Sequence, residues 1–148
     1  MADRRQAFER ATIADLAAVR ELLSNSGLPV ADLEHHIEAF TLAKSEGMLV
    51  GSVGLETYGE LSLLRSLCVD EAHRCQGIGL ALLYAVAARA AEQGVRALYL
   101  LTTGAATYFE NQGFVALSRE QVPHEIRRTA QFSSLCPSSA LCMRKVIA

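Results

Sequence analysis

The sequence has no block of Lys or Arg, no CxxC pair, no internal repeat and no low-complexity tract. Each absence excludes something. Without basic blocks, and with a formal net charge of -2, nothing in the chain calls for nucleic acid or an anionic membrane as a partner. No apolar run reaches transmembrane length, and the opening MADRRQAFER does not read as a signal peptide. The four cysteines, Cys68, Cys75, Cys136 and Cys142, match no metal-ligand spacing, so no metal is expected. A chain of 148 residues, 51% hydrophobic and 20% charged, can bury a core without disulfide staples. The cysteines therefore read as thiols of a cytoplasmic protein, and residues 1–148 as a single domain. Two phosphate-binding signatures are missing as well. There is no Gly-Lys-Ser/Thr of a P-loop and no three-glycine dinucleotide fingerprint.

What is present centres on LSLLRSLCVDEAHRCQGIGLALLYAVAARAAEQ, Leu61 to Gln93. Leu61 to Val69 is an apolar run suited to a buried strand. A short polar connection follows, then Gly77 and Gly79, then a long Ala/Leu-rich helical segment that stops at Gly94. A strand, a glycine-punctuated loop and a helix make an anion site. The first helical amides lack intrahelical partners, and the helix dipole adds positive charge there. Glycines remove the Cβ atoms that would keep a pyrophosphate away. Arg74 to Leu80 therefore reads as a phosphate cradle with Arg74 adding charge at its edge.

Taken in order, Gln6 to Ala11 is a short strand, and Thr12 with Asp15 forms a capping box for the helix behind it. A second helix spans about Ala31 to Phe40. Strands are expected over Thr41 to Lys44 and Met48 to Thr57. In the latter, Gly51 and Gly54 suggest a bulge or a close approach. After the long helix come a buried strand, Val95 to Thr102, a short helix, Ala105 to Gln112, and a strand, Phe114 to Leu117. Val122 to Ala130 reads as a helical turn or two, Ser133 to Ser139 as a polar loop, and Ala140 to Val146 as the closing strand. This order does not alternate strictly. It predicts an α/β fold with a mixed sheet and helices on both faces.

Arg74-x-x-Gly77-x-Gly79 after an apolar strand ending Val-Asp resembles the coenzyme A pyrophosphate loop of the GNAT N-acetyltransferase superfamily. Thr102 to Phe114, TTGAATYFENQGF, is similar to that family's strand end, short helix and Gly-Phe ending. The resemblance implies the GNAT fold, in which two parallel strands splay around acyl-CoA; here they would be Leu61–Val69 and Val95–Thr102. It implies transfer of an acetyl group from acetyl-CoA to a primary amine. The backbone of Leu67, Cys68 and Val69 would pair with the cofactor's amide-containing arm. Arg74, Cys75, Gln76, Gly77, Ile78, Gly79 and Leu80 would hold the pyrophosphate, and Thr102 would line the cofactor. Phe132 to Ala140, with LLRSL and LTT, resembles the arsenic-resistance N-acetyltransferase subgroup. The TTxxAxxFxxxGF run is shared with N-acetylglutamate synthase domains. Both resemblances imply a small amino-acid-like acceptor, and the name of the first subgroup suggests a link to arsenic or toxic-amine resistance. A homodimer through Ala140–Val146 is an analogy only.

The family's usual proton donor is a tyrosine in the short helix. Phe109 holds that position, and Tyr108 lies about 100° away around the helix. Tyr108 is the acid expected here. Glu56, at the end of an apolar strand, is the expected base, ahead of Glu60; His35, His36 and His73 read as surface. Arg65 is the only charge within Leu61–Val69. It requires a partner: Arg65 is the expected substrate-binding residue, meeting an anionic group of the acceptor, with a buried carboxylate as the alternative. The competing reading, motivated by Phe109, is a non-catalytic acyl-CoA-binding module or sensor.

Overall fold

The computed structural model describes residues 6–148; residues 1–5, the first half of the MADRRQAFER opening, lie outside it. Seven strands hydrogen-bond in the order β1-β2-β3-β4-β5-β7-β6. They are β1 (Gln6–Arg10), β2 (Phe40–Ser45), β3 (Met48–Tyr58), β4 (Leu61–Val69), β5 (Ala97–Thr102), β6 (Val115–Leu117) and β7 (Leu141–Val146). The helices are α1 (Leu16–Asn25), α2 (Leu33–His36), α3 (Ile78–Glu92), α4 (Ala106–Asn111) and α5 (His124–Arg127). The β4–β5 pair is parallel, whereas the β1–β2, β2–β3, β5–β7 and β6–β7 pairs are antiparallel. This is the mixed sheet that the element order predicted. Among the described residues, no helix is long and apolar enough to cross a membrane.

The chain divides into two compact units. One runs to Leu55 and takes in Ser66–Ala88; the other holds Glu56–Arg65 and Arg89–Ala148. In the first, Val19 and Leu23 of α1 meet Leu33, Ile37, Phe40 and Leu42 in a buried cluster. The Thr12–Asp15 box precedes α1, with the Thr12 N–H donating to Asp15 Oδ2 at 2.8 Å. The helix expected over Ala31–Phe40 is broken into α2, a 3-10 turn (Ile37–Ala39) and the start of β2. Phe40 is fully buried, and its carbonyl accepts from the Ala11 N–H at 2.9 Å; the packed strand wins over helical periodicity.

The glycine signal in β3 has two consequences. The β2–β3 register jumps from Ala43↔Gly51 to Lys44↔Leu49, so Val50 is the extra residue of a bulge. The Val50 carbonyl accepts from the Asp70 N–H at 2.7 Å. A Cβ on Gly51 would lie 3.0 Å from Leu82 Cδ1 and 3.2 Å from the Cys68 carbonyl oxygen. Glycine suits the position because α3 and β4 pass so close that a Cβ would press on both.

In the second unit, Leu63, Tyr99, Val122, Ile126, Phe132 and Cys142 form the central cluster. The β4–β5 ladder runs only from Leu61↔Ala97 to Leu63↔Tyr99. Val95, expected to open β5, is buried but precedes the strand, which begins at Ala97. The segment expected to be a polar loop from Ser133 begins as a π-helical turn, Gln131–Leu135. Burial of Gln131 and Phe132 fixes that turn, which a polar composition does not reveal. β7 is bonded on both sides, to β5 and to β6. A contact between copies through this strand would therefore use side chains; Leu141 and Val146 are exposed.

Candidate functional site

The first unit carries the loop. β4 is buried from Ser62 to Arg65 and half-buried from Ser66 to Val69, so Leu67, Cys68 and Val69 lie on its more open part. The change falls at Ser66, whose φ of 58° is left-handed. Ser52 Oγ donates to the Ser66 carbonyl at 2.9 Å and lies 3.7 Å from Cys68 Sγ. Burial pushes the Cys68 thiol up from its ordinary value, so it stays protonated near neutrality. After β4, a 3-10 turn (Glu71–His73) leads into the glycine loop, and His73 Nδ1 lies 3.0 Å from Asp70 Oδ2.

Arg74 is exposed, and its Nε donates to the Val69 carbonyl at 3.1 Å. That bond ties the guanidinium to the strand end. Cys75 and Gly77 are left-handed, at φ 65° and 80°; the two reversals turn the chain into α3. Cys75, Gln76 and Gly77 are exposed, Ile78 is buried, and Gly79 and Leu80 are half-buried. The Ala81 N–H takes the Gly77 carbonyl at 3.0 Å, so the amides of Ile78, Gly79 and Leu80 lie in the helix turn that has no upstream carbonyl of its own. Nothing stands within 4 Å of where a Gly77 Cβ would be. Ile78 is the anchor: buried at the head of α3, it aims the turn while its neighbours stay open. At the other end Gly94, at φ 85°, closes α3.

The second unit carries a cluster that brings two of the expected residues together. Glu56 is 4% exposed and Arg65 3% exposed. Arg65 Nη1 donates to Glu56 Oε2 at 2.8 Å, and the Tyr58 hydroxyl donates to Glu56 Oε1 at 2.6 Å. Both carboxylate oxygens thus accept from strong donors. Of the two partners considered for Arg65, the buried carboxylate is present, and it is Glu56. Tyr58 was not singled out from the sequence. The signal was there: it stands two residues after Glu56 on one strand, hence on the same face. Glu60 is exposed in the turn, with its carbonyl bound to the Arg96 N–H.

Thr102 ends β5, and its Oγ1 accepts from the Ala105 N–H at 3.0 Å, at the entrance to α4. On α4, Phe109 is 7% exposed and Tyr108 37% exposed. The Phe109 ring meets Tyr108 and Phe114 edge-on, at 5.2 Å and 5.6 Å. The position where the family carries its tyrosine therefore holds a core side chain here, with the hydroxyl one residue earlier and at the surface. His36 is half-buried 3.6 Å from Asp32 Oδ2, and His35 is exposed. All four cysteines are free thiols; the Cys136 Sγ–H donates to Gln131 Oε1 at 3.3 Å, and Cys142 is buried.

The acetyltransferase (GNAT) domain family model matches residues 36–116, more than half of the chain. The amino-acid acetyltransferase of Ectopseudomonas mendocina (strain ymp) is 32% identical over 127 residues, 80% of this chain and 29% of that protein. The amino-acid acetyltransferase of Salmonella typhi is 30% identical over 130 residues, 82% of this chain and 29% of that protein. The chain thus spans less than a third of the length of these relatives. Among solved structures, N-acetylglutamate synthase from Neisseria gonorrhoeae, complexed with coenzyme A and N-acetyl-glutamate, superposes with a TM-score of 0.84. It is 20% identical, over 99% of this chain and 36% of that one. Rv2747 from Mycobacterium tuberculosis, in complex with CoA and NLQ, gives 0.81 at 21% identity, over 96% of this chain and 99% of that one. The looped strand end, the mixed sheet and the family match agree: the chain belongs to the GNAT acetyltransferase domain family.

Proposed function

We propose that this chain transfers an acetyl group from acetyl-CoA to the primary amine of a small, amino-acid-like acceptor. The observation that carries the reading is the Arg74–Leu80 loop, with Arg74 tied to the Val69 carbonyl and the first turn of α3 open above a buried Ile78. The pyrophosphate would sit on the amides of that turn, with Arg74 at its edge. Leu67 to Val69 would pair with the cofactor's amide arm, and Thr102 would line it. The amine nitrogen attacks the thioester carbonyl, the N–C bond forms and the C–S bond breaks. Glu56 would take the amine's proton, its carboxylate held in place by the donors from Arg65 and Tyr58. Tyr108 would return a proton to sulfur, although a thiolate with a pKa near ~8.5 leaves without an obligatory acid. The amino-acid character of the acceptor is supported by the relatives' printed activity. A link to arsenic or toxic-amine resistance is supported only by the resemblance of LLRSL and Phe132–Ala140.

Gly79→Val is the test of the loop. It adds a branched Cβ where the pyrophosphate would sit, and valine is no worse a helix former than glycine. Calorimetry should give acetyl-CoA binding for the wild type and none for the folded variant. A folded Gly79→Val that keeps its affinity sinks the cradle. The second reading, a non-catalytic acyl-CoA module, is favoured by the buried Phe109. Thiol release from acetyl-CoA with any amine in an amino-acid panel removes it.

A further inference from the structure

We propose that Arg119 is a positioning residue for the acceptor side of the site: its guanidinium straps the segment from Thr129 to Ala140, and through Phe132 and Tyr58 that segment holds Glu56 and Arg65 in register. The inference rests on the transfer reading above. Arg119 stands in the 3-10 turn Arg119–Gln121 and is half-buried. Its Nη2 donates to the carbonyls of Pro137 and Ala140, each at 3.2 Å. Its Cζ lies 4.8 Å from the centroid of the Phe132 ring. One planar cation thus grips the segment near its start and twice near its end, which a flexible ammonium does not reproduce.

Bonds within the segment add to this grip. The Phe132 N–H reaches Thr129 Oγ1 at 3.3 Å, and the Cys136 N–H reaches the Gln131 carbonyl at 2.9 Å. They shape the π-helical turn, a rare form that recurs at functional sites. Phe132 carries the strap inward. It belongs to the cluster of Leu63 and Tyr99 against which Tyr58 packs. The Tyr58 hydroxyl is bonded to Glu56, and Glu56 to Arg65. A shift of Phe132 would therefore disturb the cluster that supports the Tyr58 ring, whose hydroxyl holds the carboxylate. The resemblance-bearing segment, Phe132 to Ala140, gains by this a physical task.

The experiment compares wild type, Arg119→Met and Arg119→Lys in two measurements. In the first, kcat with the best amino-acid acceptor should fall about tenfold in Arg119→Met, as misplacement of a positioned base predicts. Acetyl-CoA affinity should stay within about twofold, with Arg119→Lys in between. In the second, iodoacetamide labelling of Cys136 should be several times faster in Arg119→Met, with Cys142 of β7 still protected. An unchanged labelling rate, or exposure of Cys142 together with Cys136, overturns the strap. An unchanged kcat with a loosened segment overturns the positioning role. If the wild type turns over no amine, the transfer reading and with it the positioning role fall, while labelling still decides whether Arg119 holds the segment.

Discussion

Arg65 shows how one charge in an apolar strand is resolved. Its guanidinium meets Glu56 at 2.8 Å, and the side chains of the pair are 1% and 2% exposed. Withdrawing two charges from water is costly, so the pair is weak evidence of net stabilisation; removing one partner is a different matter. Arg65→Met strands the Glu56 carboxylate and should cost about 3–5 kcal/mol, read by urea unfolding. Arg65→Met with Glu56→Met should recover a good part of that loss, because no buried charge is then left unpaired. A single mutant as stable as the wild type would mean that the ion pair does not hold this strand. The sequence made the need for a partner plain, since a lone Arg in LSLLRSLCV cannot stay uncompensated. It did not single out Glu56, nine residues away on the neighbouring strand.

At the scale of elements, the start of α1 depends on a carboxylate whose titration is linked to folding. The Thr12 N–H bond holds the Asp15 carboxyl below its ordinary value, with Lys44 Nζ, at 3.1 Å from Oδ1, adding to it. A depressed folded-state value means that the stabilisation is complete above the unfolded-state pKa, near ~4, and is lost as pH falls through the folded one. Asp15→Asn removes the charge and keeps an acceptor oxygen. It should cost about 0.5–1 kcal/mol at pH 7, a modest figure because the group is near solvent. The gap from wild type should close as the pH drops below 4, in thermal melts run across pH; a gap constant with pH would remove the charge from the account. The box, α1, α3 and its Gly94 ending were legible because they rest on local spacing. The split of Ala31–Phe40 and the turn at Gln131–Leu135 were not, because burial of Phe40 and Phe132 decided them.

At the scale of the whole chain, ligand linkage offers the broadest check. A cofactor that binds only the folded state should stabilise it by about 2.7 kcal/mol at a hundredfold excess over Kd. The thermal midpoint should therefore climb with acetyl-CoA concentration, and stay unmoved in Gly79→Val if that variant has lost the cradle. The sequence by itself determined the strand, the glycine-punctuated turn and the helix start of residues 61–80, because they lie within one short stretch and need only local geometry. It determined the mixed α/β class through the order of its periodic segments. It also implied a bulge or close approach at Gly51, since a glycine inside an apolar strand costs stability unless space demands it. Only the tertiary structure decided which atoms meet across strands. The ladder that stops at Leu63↔Tyr99, the Glu56–Tyr58–Arg65 cluster, the core position of Phe109 and the grip of Arg119 on Phe132 all follow from packing. Such contacts depend on register and twist between segments far apart in the chain, which periodicity along one segment does not encode.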